Sequence, residues 1–206
     1  MREALAFRHG ICFRAECVER EESESVCCLA DSGGNRARAR LSLREHSRIG
    51  DFMGLSNLLT GDQVLTGIKA GNKKQLLQEV SGHLAPLTGL GERVIYETLL
   101  QRERLGSTGI GKGIAIPHGR VPGLSKLVGL FARLARPVEF DAQDGEAVDL
   151  VFVLLAPEDA GADHLQALAR IARLLRLPGM AQTLRQTEER NALYAILTAQ
   201  ASNRAA

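Results

Sequence analysis

The chain has 206 residues, 45% of them apolar and 24% charged, a size and balance that predict one soluble globular domain with room for a further segment and exclude fibrous or collagen-like chains. Trp is absent and aromatic residues make up 4%, so a core has to come from Leu, Ile, Val and Ala, as in many α/β layers. Lys and Arg total 26 against 24 Asp and Glu, and a net charge of +2 is far from the concentrated positive face of a phosphate-backbone binder, so nucleic acid is not the expected partner.

From the N-terminus onward, residues 1–51 stand apart. They hold nine Arg, no Lys and nine acidic residues, with Gly33-Gly34, the alternating Arg36, Arg38 and Arg40, and no sustained apolar period. All four cysteines (Cys12, Cys17, Cys27, Cys28) fall here, so the rest of the chain can hold no disulfide, which fits a reducing compartment. A zinc site from these cysteines with His9 and His46 is disfavoured, because Cys27 and Cys28 are adjacent and the two-residue ligand spacing is missing. The expectation is a disordered extension, or a start assigned too early with Met53 as the natural beginning of the domain. The opening residues lack a signal-peptide apolar region, and no run approaches the roughly eighteen apolar residues of a membrane helix. A cytoplasmic protein without membrane insertion is therefore expected.

Residues 52–200 alternate helical periods with short apolar runs, the pattern of an α/β domain, and 201–206 are a short tail. Asn72 caps a predicted helix whose Leu76, Leu77, Val80 and Leu84 share a face until Pro86 and the glycines at 89 and 91 end it. A second helix is predicted over 92–104, with Val94, Ile95 and Leu99 inward and Gly106 closing it. Strands follow at 113–116, 127–134 and 149–155, the last apolar enough to be buried on both faces. A long helix over 162–177 is expected to turn Leu165, Leu168, Ile171 or Ala172 and Leu175 to the sheet, leaving Arg170, Arg173 and Arg176 solvated. Pro178-Gly179 breaks it, and 188–199 reads as a last amphipathic helix. There is no internal repeat.

The chemistry gathers between Arg102 and Arg120. Gly106 to Lys112 matches the G-x-x-x-x-G-K portion of a nucleotide-binding loop, but Gly113 replaces the magnesium-binding Ser or Thr, and the loop leads from a helix into a strand instead of the reverse. A nucleotide hydrolase is thus a remote alternative. The second reading centres on His118, held between Pro117, which biases Ile116 to an extended conformation, and Gly119. Imidazole is neutral and nucleophilic near pH 7, so a positioned ring can accept a phosphoryl group without a metal or other cofactor. Ser107 and Thr108 would then offer donors to phosphoryl oxygens and Arg102 a charge-assisted fork. A structural histidine in a glycine-rich loop, with hydroxyls that merely satisfy the turn, is the competing reading.

The run from Arg102 through Gly-Ser-Thr-Gly-Ile-Gly to Gly-Ile-Ala-Ile-Pro-His-Gly resembles the mannitol/fructose-type IIA proteins of the bacterial phosphotransferase system, and among them the nitrogen-regulatory branch. The resemblance covers about residues 52–200 and includes the strand over 148–155, Ala156-Pro157 and His164-Leu165. It implies a single-domain α/β sandwich with a mixed sheet between helices. It also implies a transferase-class relay, in which His118 is phosphorylated on Nε2 by a histidine phosphocarrier protein of the nitrogen type. His164 matches the second histidine of that site and Arg102 the arginine contributed by the preceding helix. Ile114, Ile116 and Leu105 are expected to form an apolar rim that docks the carrier weakly. Residues 52–200 hold no Cys for an onward phosphoryl step and no membrane domain. The resemblance therefore implies a regulator whose phosphorylation state controls target proteins of nitrogen and potassium metabolism. A IIA subunit of a fructose- or mannitol-type transporter is the alternative.

Overall fold

The computed structural model describes residues 4–8, 11–15 and 55–202. The chain divides into two units, 1–51 and 52–206. In the first, β1 (Ala4–Arg8) pairs antiparallel with β2 (Ile11–Ala15). Of the zinc candidates Cys12 lies in β2, while Cys17, Cys27, Cys28, His9 and His46, and the rest of the expected disordered extension, lie outside the described residues.

The second unit is a mixed sheet with helices on both faces. Its strands are β3 (Val64–Ile68), β4 (Gly109–Gly111), β5 (Ile114–Ala115), β6 (His118–Arg120), β7 (Val128–Val138) and β8 (Val148–Ala156). They lie in the order β3-β7-β8-β5-β4, with β6 also on β8. β8 is the spine: β7 runs antiparallel along one edge, while β5 and then β6 run parallel along the other. Pro117 separates those two short strands. It has no N–H to give the ladder, but its carbonyl accepts from Leu154 N at 3.0 Å, so the edge resumes at once with His118 opposite Leu154.

The two-residue period of β8 divides the core. Val151, Val153 and Leu155 pack on one face with helices α1 (Lys73–Thr88) and α2 (Glu92–Arg104). Leu150, Phe152 and Leu154 pack on the other with α3 (Gly161–Leu175), α4 (Met180–Gln186) and α5 (Arg190–Ser202). Each such side chain contributes about 1.5–3 kcal/mol by leaving water, so β8 has no soft face. Among the described residues, no helix is long and apolar enough to cross a membrane.

Departures from the expected elements have local causes. α1 begins as expected, with Asn72 Oδ1 accepting from Gln75 N at 2.9 Å, but it runs past Pro86 to Thr88. In the last turn the proline forfeits one bond only, and Gly89, at φ 71, makes the actual stop. Val94 is exposed on α2, whose inward face is Ile95, Leu99 and, unexpectedly, Glu103. On α3 the inward face is His164, Ala167, Ile171, Leu174 and Leu175, while Leu165 is 70% exposed. Reading the largest side chains as inward put the stripe one residue out of phase, because a small Ala and a polar His occupy the sheet side. β3 and α4 were not anticipated; β3 carries a bulge at Gly67, and α4 has only seven residues.

Candidate functional site

The C-terminal turn of α2, the start of β6 and the first turn of α3 meet at an open cleft of about 340 Å³, lined by Thr98, Gln101, Arg102, Leu105, His118, Gly119, Arg120 and His164. Gly119 lets this happen. A Cβ at that position would lie 2.5 Å from Thr98 Cγ2, so only glycine allows β6 to approach α2 closely enough for Arg102, one turn beyond Thr98, to reach the His118 ring.

The hydrogen bonds of His118 assign its proton. The Ile116 carbonyl can only accept, and it lies 2.8 Å from Nδ1; the Arg102 Nε–H can only donate, and it lies 3.0 Å from Nε2. The neutral ring is therefore the Nδ1–H tautomer, with the Nε2 lone pair on the cleft side. The Nδ1 acceptor is a backbone carbonyl two residues upstream, and Nε2 is covered by Arg102. Arg102 Nη1 also donates to the Gly106 carbonyl at 3.0 Å.

His164 faces the same space, its ring centroid 5.7 Å from that of His118 at a tilt of 59°. Its Nε2 is buried and has no hydrogen-bond partner among the described residues. Burial holds both imidazoles below the usual histidine range. For His118 the Arg102 charge adds to that depression, and the bond to Ile116 opposes it. For His164 the His118 ring and Arg120 add to it. Both rings are consequently neutral near pH 7.

Arg102, His118 and His164 are thus brought together, and Ser107 and Thr108 are not in the cleft. Ser107 Oγ donates to the Phe140 carbonyl at 2.8 Å, and buried Thr108 Oγ1 donates to Glu103 Oε2 at 2.6 Å. Both hydroxyls are engaged by partners around the loop. The expected apolar rim also needs correction. Ile114 and Ile116 are in the core, because β5 is covered on both faces, whereas Leu105 is 86% exposed at the cleft. Arg120 was not singled out as a site residue; its signal was the two-residue strand period that puts it on the face of His118. Thr98 and Gln101 share the helical face of Arg102 and Leu105. Gly106 to Lys112 leads into strands, with no helix to receive a nucleotide phosphate.

A neutral ring with a fixed tautomer, its other nitrogen bonded to Arg102 in a cleft also lined by Arg120 and His164 and, among the described residues, by no carboxylate, is suited to taking up an anionic group on nitrogen. The chain is 54% identical over 145 residues to a nitrogen regulatory protein of Bradyrhizobium diazoefficiens, covering 70% of this chain and 95% of that one. It is 33% identical over 146 residues to the fructose-specific EIIABC component of the phosphotransferase system of Bacillus subtilis, covering 70% of this chain and 23% of that one. The crystal structure of nitrogen regulatory protein IIA-Ntr from Neisseria meningitidis superposes with a TM-score of 0.67 at 37% identity, over 70% of this chain and 99% of that chain. The family described as phosphoenolpyruvate-dependent sugar phosphotransferase system, EIIA 2, matches residues 57–200, a span that contains α1 to α4, most of α5 and every residue of the cleft, and the chain belongs to it.

Proposed function

We propose that this protein is a phosphoryl-relay regulator that accepts a phosphoryl group on Nε2 of His118 from a histidine phosphocarrier protein of the nitrogen type. Its phosphorylation state then controls partner proteins in nitrogen and potassium regulation. The observation that carries the reading is the tautomer, which leaves the Nε2 lone pair as the nucleophile. In the transfer, Nε2 forms a bond to phosphorus as the carrier's N–P bond breaks, and the carrier's nitrogen departs with that electron pair. No net proton moves, because His118 keeps its Nδ1–H throughout. Arg102 leaves Nε2 as the phosphoryl group arrives and turns to its oxygens, with Arg120 and the unpartnered His164 Nε2 on the same cleft. Ser107 and Thr108, engaged elsewhere, hold the loop.

The regulatory branch is favoured over a sugar-transporter IIA subunit by 54% identity to a nitrogen regulatory protein against 33% to a fructose-specific component. The test is incubation with phosphoenolpyruvate and the purified nitrogen-type carriers, read by intact mass for the wild type and His118→Ala. One phosphoryl group on the wild type alone supports the proposal, and acid-labile phosphate on the variant ends it. Passing the phosphorylated chain to a fructose-type IIB protein then separates the branches, since a transporter subunit unloads rapidly and a regulator does not.

A further inference from the structure

Glu103 follows Arg102 in sequence but takes no part in the cleft. Its side chain is buried at the C-terminal turn of α2, where a carboxylate suffers both desolvation and the negative end of the helix dipole. Helix stability therefore does not account for it. Its oxygens are fully engaged instead. Thr108 donates its N–H at 3.0 and 3.3 Å and its hydroxyl at 2.6 Å, and Lys73, which also pairs with Asp141 at 2.6 Å, donates at 3.3 Å.

Thr108 is tied in turn to the reacting ring. Its carbonyl accepts from Ile116 N at 3.0 Å, and the Ile116 carbonyl takes the His118 Nδ1–H. On the other side, the loop between Glu103 and Thr108 supplies the Gly106 carbonyl that holds Arg102 Nη1, while Arg102 Nε returns to His118 Nε2. The bonds close a circuit: from Arg102 and Glu103 along the chain, through Thr108 and Ile116 to His118, and back to Arg102. We propose that Glu103 and Thr108 are positioning residues of the phosphoryl site, an inference that rests on the acceptor reading above. Their clasp sets the Gly106 and Ile116 carbonyls at one separation and so holds the guanidinium of Arg102 and the ring of His118 in register. Lys73 neutralises the carboxylate, so that it does not draw Arg102 away.

Thr108→Val keeps the shape and removes the hydroxyl. It should lower the saturating rate of transfer from the carrier about 10- to 100-fold, the scale of a displacement near 1 Å, with little change in KM for the carrier. Thr108→Ser should recover most of that rate, and in an Arg102→Ala background the valine should add nothing further, because the residue it acts through is gone. A wild-type rate in Thr108→Val, or losses that multiply in the double variant, would reduce the clasp to a structural role. If Thr108→Val shows no cooperative melt, Glu103→Gln, with nearly the same volume and one acceptor oxygen retained, carries the same expectations. Nitrogen-15 NMR of the His118 ring gives a readout that does not depend on phosphorylation. Titration should be depressed in the wild type and shifted in Thr108→Val, as the Ile116 bond and the Arg102 contact both change, and an unchanged titration overturns the inference. A wild-type chain with that NMR signature but no phosphoryl uptake would overturn the functional reading and leave the clasp standing.

Discussion

The two imidazoles of the cleft make pH the most direct probe at the residue scale. Both have folded-state pKa values below the ordinary 6.5, chiefly through burial. The unfolded chain then binds more protons than the folded one between those values, so stability rises with pH across that window and is lost as pH falls below about 6.5. Melting temperature should drop on acidification from about pH 7 to about pH 5, and the slope should flatten in a His118→Gln/His164→Gln variant. An equal slope in both chains would remove the histidines from the linkage. Phosphoryl acceptance should show an acid limb in the same window, because a protonated Nε2 has no lone pair. Arg102→Ala or His164→Ala should slow transfer by about 10²–10³, the loss expected for one preorganised donor. Single-turnover rates check this, and unchanged rates in both variants would demote them. His118→Ala should abolish acceptance yet alter stability by no more than about 1 kcal/mol, since the ring is only partly buried at the cleft.

At the scale of elements, the site depends on the fit of α2 against β6. Gly119→Ala places a methyl against Thr98 Cγ2, so the helix has to move away from the strand that carries the nucleophile. Such overpacking costs about 1–3 kcal/mol, and here it also draws Arg102 from His118. Thr98→Ser, which removes the offending methyl, should restore both the melting temperature and the transfer rate in the double variant; no rescue would show that the contact is not the cause. At the first turn of α3, Leu165 is exposed beside His164, and Leu105 lies exposed at the end of α2. Leu165→Ala should leave stability within about 0.5 kcal/mol, as surface changes do, while raising KM for the carrier. An unchanged KM would take Leu165 off the docking surface. The phase error on α3 and the surprise of Glu103 have one origin. Periodicity ranks residues by size and apolarity, and at both helix ends a polar side chain faces inward, Glu103 onto Thr108 and Lys73 and His164 beside the His118 ring, which no apolar period contains.

For the molecule as a whole, residues 52–200 announced their architecture because β8 is so apolar that it fits only a strand covered on both sides, and because α1 and α2 carry strong periods and stops. His118 was legible through the Ile-Pro-His-Gly motif, and His164 and Arg102 through family resemblance. The partners of His118 were not, since a backbone carbonyl leaves no mark in the side-chain pattern. Ser107 and Thr108 were read as phosphate donors for the converse reason: a hydroxyl in a glycine loop looks the same whether it faces a ligand or a buried Glu. We propose that residues 1–51 are dispensable, because among the described residues the cleft and both apolar clusters are built from residue 55 onward. A chain beginning at Met53 should keep its melting temperature and its phosphoryl acceptance. Melting several degrees lower, or stoichiometric zinc on the full-length chain, would reassign that segment as a folded part of the protein.

The burial of β8 on both sides also governs how a phosphoryl group on His118 can be noticed elsewhere. β6 is hydrogen-bonded along a strand locked between two apolar clusters, and such a strand has no second position to adopt when charge arrives one ladder away. On the proposed reading the modification is not transmitted through that strand to α4 and α5, so a listener has to touch the cleft itself, where α2, β6 and the first turn of α3 meet. Carrier and listener then exclude one another by occupancy. An abundant target should delay its own release by shielding the unmodified protein from its donor, and transfer kinetics measured with rising target should follow simple competition.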